Sequence, residues 1–218
     1  MTEARSPQVK TAAVSASQSS SYAALNGEGI ELAEELAWDD RLYEIVNGER
    51  VEKPMASYVV GIANDLGYRV EHHARTGQLG RAYVEQMFVI DAAKRLERRP
   101  DVAFVSYQRW PKKRRLPQTN AVPVVPDLAA EVVCRTNLAK GVVAKVEEDF
   151  RAGVRLVWVV YPDLNQVYVY ELPTNVRVLH QTDELDGGTV LPGFRIKVAA
   201  LFEDELGAEE AEPAKHLA

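Results

Sequence analysis

The order of apolar patterns along this chain predicts a mixed α+β domain of the α/β class, with a mixed central sheet flanked by helices and preceded by an N-terminal hairpin. Three observations carry that prediction. Stretches with helical apolar spacing alternate with short apolar strands. An Asn-Gly pair joins two alternating runs, the strongest short-range signal for a hairpin. The segment RLVWVVY is almost continuously apolar, as a strand buried on both faces must be. With 218 residues, 46% hydrophobic and 27% charged, the chain suffices for one domain with a real core plus tails.

Residues 1–25 are rich in Ser and Ala and lack large apolar periodicity, so they read as a disordered arm before a domain at 26–205. Residues 29–38 (GIELAEELAW) have the pattern of a short amphipathic helix that buries Ile30, Leu32, Ala33 and Leu36. LYEIV and ERVEK flank Asn47-Gly48 and form the hairpin. Ser57 is placed to cap a helix running to about His73, with Val59, Val60, Ile62, Ala63, Leu66 and Val70 on its buried side. Strands are expected over 81–91, 101–106 and 127–134, the last two separated by the basic loop RWPKKRR. Residues 138–152 are helical in pattern and stop at Gly153. The strand 155–161 follows, then QVYVYEL, NVRVLH and LPGFRIKV. All strands are expected to join one sheet. Residues 206–218 read as an acidic disordered tail.

Cys134 is the one cysteine, so neither an intrachain disulfide nor a cysteine-built zinc site can form, and a reducing cytoplasmic setting fits. The N-terminus lacks the apolar core of a secretory leader, and no run approaches the roughly 18 apolar residues that a spanning helix needs. Neither a membrane nor a small-molecule organic cofactor is expected. The net charge of −6 argues at first against nucleic acid, but residues 203–218 alone contribute −5. Between Lys94 and Arg115, nine Lys or Arg residues face only Glu97 and Asp101. Local clusters of this kind attract phosphates; an ordinary solvated loop has the same composition.

Three residues point to chemistry. Asp101 follows Pro100 at the start of a strand, Glu131 interrupts an otherwise apolar strand, and Lys145 lies in the helix beyond. A charge inside a buried strand is costly unless it is paired or binds a metal. Two carboxylates on neighbouring strands can hold Mg²⁺ or Mn²⁺ against a phosphate, and a nearby lysine can offset the charge of the transition state. Asp101 and Glu131 are therefore expected to face one pocket with Lys145. Each also has a plainer reading. Asp101 can cap its strand, and Lys145 can form an i,i+4 pair with Asp149. Asp127 repeats the Pro-Asp pattern and is taken as structural. Glu44 and Glu49 share one hairpin face and offer a further metal ligand, or simply a solvated surface. His72 and His73 close a helix and complement its dipole. Cys134 reads as a small buried apolar residue, and 157–161 as core.

With these residues in hand, the chain resembles the PD-(D/E)XK nuclease superfamily and, more closely, the Uma-two family of putative restriction endonucleases, small bacterial proteins. The likeness runs from about Tyr43 to Phe202. YEIVNGERVEKP matches the opening hairpin, RPDVAFV and PDLAAEVV the two catalytic strands, AKVEEDFRAGVRLVWVVYPDLNQVYVY the helix and strands after them, and LPGFRIKVAALF the closing segment. The resemblance implies a restriction-endonuclease-like core and a metal-dependent DNA endonuclease. Asp101 and Glu131 would be its metal ligands, Glu44 a weaker third, and Lys145 its catalytic lysine. The wider superfamily has lysine two residues after the glutamate, where this chain has Val133; the Uma-two pattern moves it into the next helix, where Lys145 stands. Cys134-Arg135-Thr136 replaces the family's usual Ser-Pro-Ser, and Asp149 its usual tyrosine. The alternative is a nuclease fold that binds DNA or assembles, as a homodimer for instance, without turnover. Because neither tail has an apolar face to bury, a chain shortened to 26–205 is expected to keep its melting temperature. A large drop in thermal denaturation would show that a tail docks.

Overall fold

In the computed structural model, which describes residues 42–53, 56–134 and 138–203, Asn47 and Gly48 take φ values of 54° and 81°. These positive values suit a two-residue turn between twisted strands. The turn joins β1 (Tyr43–Val46) to β2 (Glu49–Glu52), with Val46 opposite Glu49 and Glu44 opposite Val51. The expected arm at 1–25, the helix at 29–38 and the tail at 206–218 lie outside the described residues.

Helix α1 (Ser57–Thr76) buries Val59, Ile62, Ala63, Leu66, Val70 and Ala74; of the expected stripe, Val60 alone is only half-buried. Two further details differ from expectation. Ala56, not Ser57, holds the N-cap position, and no side chain caps the helix. Its last turn also runs past His73 to Thr76. His73 donates from Nε2 to the Pro192 carbonyl oxygen at 2.9 Å and meets Phe194 edge-on, so it ties the helix to the closing segment.

The segment 81–91 is not one strand. β3 (Gly80–Val84) and β4 (Met87–Asp91) belong to different sheets. The break falls at Glu85, whose φ of 52° swings the chain out of its first ladder. The Glu85 N–H donates to the Asp101 carbonyl oxygen at 3.1 Å. The remaining strands are β5 (Leu96–Arg98), β6 (Val102–Ser106), β7 (Ala121–Val122) and β8 (Leu128–Val132). Helix α2 (Ala139–Ala152) comes next and ends at left-handed Gly153 with φ 104°. After it come β9 (Leu156–Tyr161), β10 (Gln166–Leu172) and β11 (Asn175–Leu179), and a closing hairpin of β12 (Glu184–Asp186) and β13 (Arg195–Lys197).

These strands form three sheets rather than one. The central sheet has six strands in the order β11-β10-β9-β8-β6-β3; its β8–β9 pair is parallel and the others are antiparallel. A second sheet runs β2-β1-β5-β4-β7, and the closing hairpin is the third. Alternation along the central strands sorts the core. Val102, Phe104, Leu128, Ala130, Val132, Trp158 and Val160 pack on α1 and the closing segment. On the opposite face, Ala129, Val157 and Val159 meet Val146 of α2, while Ala103 and Val105 meet Phe88, Ile90 and Val122 of the second sheet. The position of any residue on β6 or β8 therefore fixes which layer it enters.

Gly80 lies where β3 closes on β6. A Cβ there would stand 2.2 Å from the Val105 carbonyl oxygen and 2.8 Å from Ser106 Cα, both backbone atoms that cannot turn aside. Gly80→Ala is expected to destabilise the fold by about 1–3 kcal/mol, the usual range for overpacking. Urea unfolding with an unchanged midpoint would show that the strands separate there without cost.

Candidate active site

Each of the two Pro-Asp pairs starts a strand of the antiparallel β6–β8 ladder, and each carboxylate reaches the far end of the other strand. Asp101 Oδ2 accepts from the Val132 N–H at 2.5 Å, and Asp127 Oδ2 from the Ser106 N–H at 2.7 Å. The two ends then diverge. Asp127, 1% exposed, meets Arg109 Nε at 2.8 Å and Arg155 at 2.7 Å. Asp101 Oδ1 instead meets the Lys53 ammonium at 2.6 Å, with the two side chains 4% and 9% exposed.

Register places Glu131 beside Asp101. Val102 pairs with Ala130 and Ala103 with Ala129, so the next step outward sets Asp101 opposite Glu131, on the face shared by Ala103 and Ala129. That face lies towards α2 and the hairpin. Lys145, from α2, donates to Glu131 Oε2 at 3.3 Å and to Glu44 Oε1 at 3.1 Å. Asp101, Glu131, Lys145, Glu44 and Lys53 all line one cavity of about 410 Å³, whose other wall is apolar: Val46, Val51, Val59, Val133, Leu138 and Val142.

The structure thus gathers Asp101, Glu131, Lys145 and Glu44, and leaves Glu49 exposed and outside the cavity. The reading of Glu44 as part of a solvated hairpin face does not hold, since it is 5% exposed. Its Oε2 accepts from Arg98 at 2.9 Å and its Oε1 from the Arg99 N–H at 3.1 Å as well as from Lys145. Arg98 also bonds Glu148 of α2, which joins β5, β1 and α2 through one guanidinium. The plain reading of Lys145 as an i,i+4 partner of Asp149 gives way to its bonds with Glu44 and Glu131. Sequence reasoning misses Lys53, Arg98 and Glu148. Lys53 had a signal: alternation puts it on the same hairpin face as Glu44 and Val51, two residues beyond the latter. Arg98 had none, because it looked like one more charge in a basic run.

Burial and charge set the protonation states. Burial pushes the carboxyls of Glu131 and Asp101 above the usual range, opposed by Lys145 and Lys53 respectively. For Glu44 burial also acts upward, but Lys145 and Arg98 together outweigh it and hold its carboxyl below the usual range. Burial would lower Lys145; Glu131 and Glu44 more than reverse that, so it stays protonated. One turn further along α2, Asp149 is 5% exposed, and burial with the Glu131 charge pushes its carboxyl up to about 8.

Among the described residues, no three His, Cys, Asp or Glu side chains converge as a metal cluster. Asp101 and Glu131 still form a hard two-carboxylate donor set. That suits Mg²⁺ or Mn²⁺, which bind through one or two carboxylates and otherwise through water and substrate phosphates. Glu44 lines the same cavity, with its two oxygens shared among Arg98, the Arg99 N–H and Lys145.

A family model described as Uma2, putative restriction endonuclease, matches residues 31–199. No curated relative matches the sequence. Among solved structures, the chain is similar to a putative nuclease belonging to DUF820 from Anabaena variabilis ATCC 29413. The TM-score is 0.65 at 17% identity, over 73% of this chain and 89% of that one. At that identity the likeness shows the fold alone, a nuclease fold of the restriction-endonuclease type.

The raised Asp149 carboxyl has a consequence for stability. Because its value in the folded chain lies near 8, well above its ordinary 3.8, the unfolded chain ionises first. Stability is therefore lost as pH rises from about 4 to about 8 and levels off beyond. Asp149→Asn removes that loss, so its advantage over the parent chain in thermal melts should be larger at about pH 8 than at about pH 5. An advantage that does not change with pH would mean that Asp149 ionises as an exposed aspartate does.

Proposed function

The chain belongs to the Uma2 family of putative restriction endonucleases, and from that premise we propose that it is a metal-dependent DNA endonuclease with Asp101 and Glu131 as metal ligands and Lys145 as its catalytic lysine. One observation carries the reading: residues from a strand start, a strand end and a separate helix meet in one cavity. Mg²⁺ or Mn²⁺ held by the two carboxylates would supply charge neutralisation at the phosphate and a more acidic water.

The chain's own groups do the rest. Lys145, held protonated, serves as a hydrogen-bond donor to a phosphate oxygen rather than as a base, and opposes the negative charge that grows as the P–O bond breaks. Glu44 orients that ammonium. Lys53 offsets the Asp101 charge and fixes the carboxylate through Oδ1.

One observation favours the second reading, a DNA-binding or assembly module without turnover: Asp101 and Glu131 already have ammonium partners at 2.6 and 3.3 Å. Cleavage of plasmid, linear and branched DNA with Mg²⁺ or Mn²⁺ separates the two. Lys145→Ala and Asp101→Ala are each expected to lose roughly 100-fold or more in rate, the scale for removing one group that stabilises the transition state. Lys145→Ala should leave DNA affinity nearly unchanged. A parent chain that cuts none of these substrates with either ion would support the module instead.

A further inference from the structure

The basic run between Lys94 and Arg115 does not survive folding as one surface. Arg98 serves Glu44 and Glu148 in the cavity, Arg99 bonds the Tyr43 and Glu85 carbonyl oxygens, and Arg109 binds Asp127 and the carbonyl oxygens of Val125, Pro126 and Gly153. Of the six that remain, Lys112, Arg114 and Arg115 converge with two arginines from outside the run. Arg75 of α1 and Arg81 of β3 line the same pocket of about 340 Å³, together with Tyr107.

The pocket is built rather than incidental. Glu71 Oε1 accepts from Nε of both Arg75 and Arg81 at 2.8 Å, and its Oε2 accepts from the Ala82 N–H of edge strand β3 at 2.6 Å. One committed carboxylate thus aims two guanidiniums, 56% and 43% exposed, at one place. Exposed pairs of this kind add little to stability, so stability does not account for the arrangement. Trp110, 7% exposed, anchors the basic loop: its Nε1 donates to the Arg114 carbonyl oxygen at 3.1 Å, and the Arg114 guanidinium lies 3.8 Å over its ring. The other face of that guanidinium points away from the ring, a plane on which a nucleobase can stack.

We infer that this pocket binds one nucleotide of a nucleic-acid strand, its phosphate on Arg75 and Arg81 and its base against Arg114. This deepens the nuclease reading and rests on it for the identity of the strand. Arg81 pairs with Val105, on the face of β6 that carries Asp101. Four steps of strand separate Val105 from Asp101, roughly 14 Å.

The test measures anisotropy of labelled 12-nucleotide single strands and 12-base-pair duplexes on the full chain, without metal, across a salt series. Arg75→Gln with Arg81→Gln and Arg114→Gln is expected to weaken binding about tenfold or more. The slope of log K against log salt for the duplex should fall by about 0.9 for each phosphate that the variant no longer neutralises. Melting temperatures control for folding. Arg177→Gln with Arg195→Gln and Lys197→Gln, on β11 and the closing hairpin, controls for net charge and should weaken binding far less. An unchanged slope in the pocket variant overturns the inference, and so does equal weakening in the control. dAMP or inorganic phosphate that binds as tightly as the strands would also overturn it, by making the site one for a free nucleotide or a free anion. Because binding is read without metal, a parent chain that binds through this pocket yet cuts nothing would refute the nuclease reading while leaving the pocket intact.

Discussion

A carboxylate taken out of water must find partners or lose its charge, and Asp101 meets that demand with two partners from distant parts of the chain. The Lys53 ammonium comes from the end of the hairpin and the Val132 N–H from the last residue of β8. Together they tie the second sheet to the central one at the mouth of the cavity. Lys53 in turn bonds Glu85 and the Arg99 carbonyl oxygen, so the left-handed turn between β3 and β4 is held by the same ammonium. Lys53 thus joins the end of the hairpin both to the start of β6 and to the turn between β3 and β4.

The two Pro-Asp clamps show how one local device serves two ends. Both carboxylates take a backbone N–H where strand pairing runs out. At Asp127 the remaining charge is met by Arg109 and Arg155, whose fixed guanidiniums lock the far end. At Asp101 it is met by a lysine beside a second carboxylate. An ammonium is a compact point charge that yields more readily than a bidentate arginine. The difference between a structural end and a chemically open one lies in those partners rather than in the aspartates.

The same logic runs through the cavity. Glu44 and Arg98 give Lys145 a fixed seat, and the protonated Lys145 keeps Glu131 from standing as an uncompensated buried charge. At Asp149 on the same helix, Lys145 and Arg98 oppose burial too weakly, and the carboxyl rises to about 8. It stands where the resembled family usually has a tyrosine, so a titrating group replaces one that stays neutral over the same range.

Sequence alone determined the local elements. Asn47-Gly48 dictated the turn, the apolar stripe dictated α1, and RLVWVVY dictated β9, buried from Leu156 to Val160, because backbone geometry and side-chain period act over a few residues. It also marked Glu131, since a glutamate among strand apolars is anomalous wherever the strand goes, and the resemblance drew Asp101 and Lys145 to it. Only the tertiary structure decided that 81–91 divides between two sheets, that Glu44 enters the cavity while Glu49 stays outside, that Lys53 reaches Asp101, and that Arg98 and Arg109 turn inward from a run that looked like surface. Periodicity says which residues share a face, but not what that face will meet. Charge partners are chosen by the path of the chain, and the cost of burying a charge is settled only once both partners are in place.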